Sequence, residues 1–181
     1  MSDKQRSRKI YYKMAVMFCL AATVTSLWIS VIFGFSSANG EKSASQSHNV
    51  VQGVVRIVDK DYVMPEKPEP KSIDQIFDTV VRKTAHMCVY AVLGILMYFT
   101  VKTLTLAGNS YWGAKLSIPL SILVAIGDEY NQTLTEGRSG RLYDVVIDSA
   151  GIVIGTMLCM WIVKYLLKKD GKCKKHKSIK S

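Results

Sequence analysis

Acidic residues are scarce at both ends of this 181-residue chain. Residues 1–13 hold one acid, Asp3, against Lys4, Arg6, Arg8, Lys9 and Lys13. The C-terminal stretch holds one acid, Asp170, against eight lysines between Lys164 and Lys180. Over the whole chain 14 Asp and Glu face 24 Lys and Arg, a formal net charge of +10. A basic excess can mark a nucleic-acid binder. Here the lysines flank long apolar runs, which points to a membrane surface and away from nucleic acid. Cysteine is sparse as well, at positions 19, 88, 159 and 173. That spacing fits neither a metal knuckle nor a disulfide framework, so the four read as small apolar fillers. Of four prolines, three cluster at Pro65, Pro68 and Pro70. P-loop, GxSxG and HExxH patterns are missing, so no short motif names a reaction.

What the chain has in abundance is apolar sequence, 49% of its residues. Met14 to Phe35 run without a charge. That length meets the roughly 20 residues of a membrane helix and exceeds the apolar core of about 7–15 residues in a cleaved signal peptide. Ser36-Ser37-Ala38 resembles a cleavage site, but the expectation is a retained first span. Residues 36–48 read as a loop. In residues 50–62, Val50, Val51, Val54, Val55, Val58 and Tyr62 recur at helical spacing, which predicts a short amphipathic helix; the β-branched content leaves a strand as the alternative. The three prolines then break the chain.

Ser72 with Gln75 three residues on forms a capping-box pattern. No breaker separates that start from the apolar run Thr84 to Val101, so one long helix should begin outside the bilayer and become span two. Lys102 to Tyr111 reads as a turn. Span three covers Trp112 to Ile126 and contains Pro119, which membrane helices tolerate when neighbours satisfy the freed carbonyl. Span four covers Val145 to Leu167, with Gly151 and Gly155 as a small-xxx-small packing face. Trp112 suits an interfacial anchor, and Trp161 reads as ordinary packing within span four. The predicted fold is all-α: a four-span transmembrane helical bundle with an extra short amphipathic helix in the first outer loop. Its segments are a basic N-terminus (1–13), a first transmembrane helix (14–35), an outer loop (36–71), a three-helix core (72–167) and a lysine-rich tail (168–181).

Four spans place both ends on one side. That side collects fifteen basic residues against two acids. Residues 36–83 on the other side carry seven of each. The positive-inside rule then makes both termini cytoplasmic, in a multi-pass plasma-membrane protein. The lysine tail would lie against the anionic cytoplasmic leaflet, and membrane lipids are the expected partners.

The same topology brings polar residues together. His86 opens span two, Asp128, Glu129 and Gln132 close span three, and Asp144 and Asp148 open span four, all at the outer face. Arg82, His86 and Tyr90 recur at i, i+4, and Asp128 shares a face with Gln132. Asp144, Asp148, Gly151 and Gly155 form one stripe, so the acids should face other helices and not lipid. Buried acids must be paired, protonated or metal-bound. Arg138, Arg82 and His86 are the available partners. Three readings stand. One is a site for a polar or anionic headgroup, with His86, Asp128 and Glu129 in proton transfer and Arg82, Tyr90, Gln132, Arg138, Asp144 and Asp148 in binding. Another is a salt-bridge network that only locks helix ends. The third is a divalent-cation site of Asp128, Glu129, Asp148 and His86. The residues name no cofactor.

The pattern Arg82-Lys83-x-x-His86-x-x-x-Tyr90-x-x-Leu93-Gly94, then Asp128-Glu129-x-x-Gln132, Gly137-Arg138, Asp144, Asp148, Gly151 and Gly155, resembles the VanZ-like family of bacterial membrane proteins. The likeness covers about residues 27 to 165. It implies an envelope protein of four or more spans. The name-giving members are associated with resistance to the glycopeptide antibiotic teicoplanin. An Asn is common in that family where this chain carries Asp148.

Overall fold

The computed structural model describes residues 3–37, 73–104, 110–135 and 141–178. Among them are four helices: α1 (Asp3–Ser36), α2 (Ile73–Leu104), α3 (Ser110–Thr133) and α4 (Leu142–Ser178). No described residue is in a strand. The amphipathic segment expected at 50–62 lies outside the described residues, as do Ser72 and Arg138.

α2 is the hub. It packs most extensively on α4 and also touches α1 and α3, while α1 meets α3 more lightly. The side-chain bonds give the directions. Asn131 Nδ2 of α3 donates to Ser37 Oγ just past the end of α1 at 2.9 Å. Trp28 Nε1 of α1 donates to the Val89 carbonyl of α2 at 3.2 Å. The C-terminal ends of α1 and α3 therefore lie beside the N-terminal ends of α2 and α4, and the helices alternate up and down.

Three glycines let α2 and α4 touch backbone to backbone. A Cβ on Gly94 would lie 2.5 Å from the Ile152 carbonyl oxygen, and one on Gly151 would lie 3.1 Å from the Met87 carbonyl carbon. One on Gly155 would lie 2.7 Å from the Ala91 carbonyl carbon. The Gly151–Gly155 stripe thus faces α2, where small residues permit the closest approach.

The exterior is apolar and the interior partly polar. Leu20, Val24, Leu27 and Phe35 of α1 are exposed, as are Leu116, Leu120, Leu123 and Ile126 of α3. Exposed apolar surface over whole helices marks contact with lipid. α1, α2 and α4 each contain a stretch long and apolar enough to cross a membrane: Arg8–Ser36, Thr79–Leu104 and Leu142–Leu166. α3, at 24 residues, is long enough but is not among them. Its buried face is Ala114, Ser117, Ser121, Ala125 and Asp128, and three of those five residues are polar. Trp161 is not packing as expected: it is 65% exposed and stacks on Tyr165 at 6.0 Å between ring centroids. Spacing alone could not show this, because α4 turns that face away from α2 and α3.

Candidate functional site

The up-down order brings His86 and Tyr90 on α2, Asp128, Glu129 and Gln132 on α3, and Asp144 and Asp148 on α4 to one end of the bundle. Asp128 and Asp148 are each 1% exposed and Glu129 is 6% exposed. Asp128 faces inward because it ends the buried stripe of α3, and Asp148 because it lies one turn before Gly151 on the stripe that meets α2.

Asp128 ties into two neighbours through one oxygen. Its Oδ2 accepts from Tyr90 Oη at 2.9 Å and from Gln132 Nε2 at 3.1 Å. The first bond ties α3 to α2, and the second is the i, i+4 pairing within α3. Tyr90 also stacks on His86, with ring centroids 6.4 Å apart and planes 26° apart. His86 Nδ1 approaches Asp148 Oδ1 at 3.9 Å, an ionic contact that is too long for a hydrogen bond. The His86 side chain is 35% exposed and Asp148 almost fully covered, so histidine forms the accessible edge of the cluster. Glu129 accepts from the backbone N–H of Arg141, which pins the end of α3 to the start of α4.

Asp128 Oδ1 and Asp148 Oδ2 are buried and lack a hydrogen-bond partner among the described residues. A buried, unpaired carboxylate oxygen is costly, and native structures hold few of them. Among the described residues, no group of three or more His, Cys, Asp or Glu is arranged to hold a metal ion.

One expected member falls elsewhere. Arg82 is exposed. Lys83 takes the expected place, with its Nζ 2.5 Å from Asp144 Oδ1 and 4.7 Å from the Tyr143 ring centroid. Helix geometry explains the exchange. Seven residues from Lys83 to Tyr90 close to within about 20° of two full turns, whereas eight from Arg82 overshoot by about 80°. The heptad step was the available signal. Arg138 lies outside the described residues, so its place in the cluster is not described.

Side-chain exposures of 29% and 33% make the Lys83–Asp144 pair a partly solvated one. Lys83→Ala is therefore expected to cost about 0.5–1 kcal/mol in thermal unfolding, less in high salt. Arg82→Ala should stay within about 0.5 kcal/mol of the wild type. Equal losses from the two variants would contradict this placement.

Helices with an apolar exterior, three of them apolar enough to span a bilayer, and carboxylates sealed between them define a helical membrane protein. Residues 18–164 match the VanZ/LLP1 family model, and the chain belongs to the VanZ-like family. No curated protein and no solved structure matches it.

Proposed function

We propose that the chain is a four-span protein of the bacterial plasma membrane with both termini cytoplasmic. Its cluster would face outward and bind, or act on, the polar headgroup of a cell-surface lipid or glycan. The observation that carries this reading is the pair of sealed carboxylate oxygens, Asp128 Oδ1 and Asp148 Oδ2, to which no described residue donates. A network that served only to lock helices would engage those atoms, because each one left idle lowers stability. His86 then serves at the open edge as proton donor or acceptor, with Asp128 and Glu129 as acid–base or binding groups. Arg138 belongs to the proposal as a further binding group on the strength of its motif alone.

The fourth span is α3. Its leucines face outward and its serines inward, the distribution expected where neighbouring helices and not water satisfy polar groups. The lysine excess at the opposite end supports a cytoplasmic face there.

A purely structural reading draws on the Tyr90–Asp128 and Glu129–Arg141 bonds, which do join helices. Photo-crosslinking separates the two. A photoreactive residue replacing Tyr143, which is 66% exposed beside the cluster, should capture a headgroup-bearing envelope lipid or glycan in intact cells. The adduct should be lost with Asp148→Asn. An unchanged adduct in that variant would favour the structural reading. A link to teicoplanin resistance, associated with the name-giving members, is part of the same proposal for this chain. Its readout is the teicoplanin susceptibility of cells carrying the wild type or Asp128→Asn.

A further inference from the structure

The headgroup reading leaves the chemistry of the ligand open, and the bonding of the cluster narrows it. We propose that the site takes a primary ammonium group, such as that of an aminated lipid headgroup or an amino sugar, with its N–H donors directed to Asp128 Oδ1 and Asp148 Oδ2. This inference rests on the headgroup reading above and specifies its ligand.

Three observations converge. The first is hydrogen-bond polarity. Both unpartnered atoms are carboxylate oxygens, which accept and do not donate when ionised. The two side chains that donate to Asp128, Tyr90 through Oη and Gln132 through Nε2, both do so at its other oxygen. A ligand that completes the cluster with both carboxylates ionised must therefore bring donors. Phosphate and carboxylate groups bring acceptors.

The second is charge. Asp148 lies within Coulombic reach of three carboxylates, Glu129, Asp128 and Asp144, and of one ammonium, Lys83. Lys83 is engaged by Asp144 at the rim. An entering anion would meet carboxylates in a low-dielectric interior, where like charges repel most strongly. An entering cation is attracted, and its desolvation is offset by charge-assisted hydrogen bonds.

The third is shape. The two unpaired oxygens belong to separate helices, Asp128 to α3 and Asp148 to α4. An ammonium group spreads three N–H donors around one nitrogen and can bridge separated acceptors. A quaternary ammonium carries the charge without a donor and would leave both oxygens unpaired. His86, 35% exposed and 3.9 Å from Asp148, stands where such a group would enter.

The test uses the full chain in detergent micelles and follows binding by native mass spectrometry. The lipid probes are phosphatidylethanolamine, phosphatidylcholine and phosphatidylglycerol with identical acyl chains. The soluble probes are glucosamine and N-acetylglucosamine. Phosphatidylethanolamine or glucosamine should bind roughly tenfold or more tightly than its N-blocked counterpart, the loss expected for one hydrogen bond to a charged group. Asp128→Asn and Asp148→Asn, checked for folding by thermal unfolding, should each abolish that preference. Preference among the two amines tells a lipid source from a glycan source, and either supports the proposal. Acid-dependent binding that favours phosphatidylglycerol, or that treats the amine and its blocked form alike, would overturn the ammonium assignment and leave the headgroup reading standing. Binding of no probe, or binding indifferent to both Asn variants in folded protein, would overturn both.

Discussion

Leucine in place of Gly155 is expected to push α4 off α2 and to destabilise the protein by about 3 kcal/mol or more. The site has no slack. An added Cβ would meet Ala91 backbone atoms, including the carbonyl carbon at 2.7 Å and Cα at 2.9 Å. A side chain in that position could rotate away, but a helical backbone cannot move without carrying its helix. Gly34 provides the control, because a Cβ there meets nothing within 4 Å. Gly34→Leu should stay within about 0.5 kcal/mol of the wild type. Thermal unfolding in detergent reads both. A Gly155→Leu protein that unfolds with the Gly34→Leu protein would remove the glycine contact as the basis of the α2–α4 interface.

Tyr90→Phe should cost about 1.5–3 kcal/mol, the range for a hydrogen bond to a charged group. Tyr90 is 1% exposed, so water cannot replace the lost donor, and Asp128 keeps only Gln132. Asp128→Asn should behave differently. Its amide oxygen can occupy the place of Oδ2 and still accept from both Tyr90 and Gln132. Its amide nitrogen then stands where the unpartnered oxygen was. In the Asp128→Asn background, Tyr90→Phe should cost only about 1 kcal/mol, the value for a neutral hydrogen bond. A double-mutant cycle on unfolding free energies measures that difference. Additive losses would mean that Tyr90 and Asp128 do not interact as described.

Much of this arrangement is legible in residue spacing because helices repeat with a fixed period. Asp144, Asp148, Gly151 and Gly155 fall on one stripe, and in the structure that stripe meets α2. Asp128 and Gln132 are four apart and are bonded. Other features leave no trace in side-chain identity. Glu129 is held by the backbone N–H of Arg141, and every residue but proline offers that donor. The exchange of Arg82 for Lys83 turns on the small angular difference between seven and eight residues. α3 buries Ser117 and Ser121 and turns leucine and isoleucine outward, a sidedness that composition alone does not show. Trp161 illustrates the opposite limit, since depth along a helix does not say which way a residue faces.

The measurement that bears most directly on the account is Asp128→Asn read twice on a single preparation, once for thermal unfolding and once for envelope lipid or glycan retained through purification. A working site predicts a protein at least as stable as the wild type that has lost its bound headgroup, because a buried charge kept for function lowers stability. A destabilised protein that still carries the same headgroup would contradict it and leave the carboxylates as struts between helices.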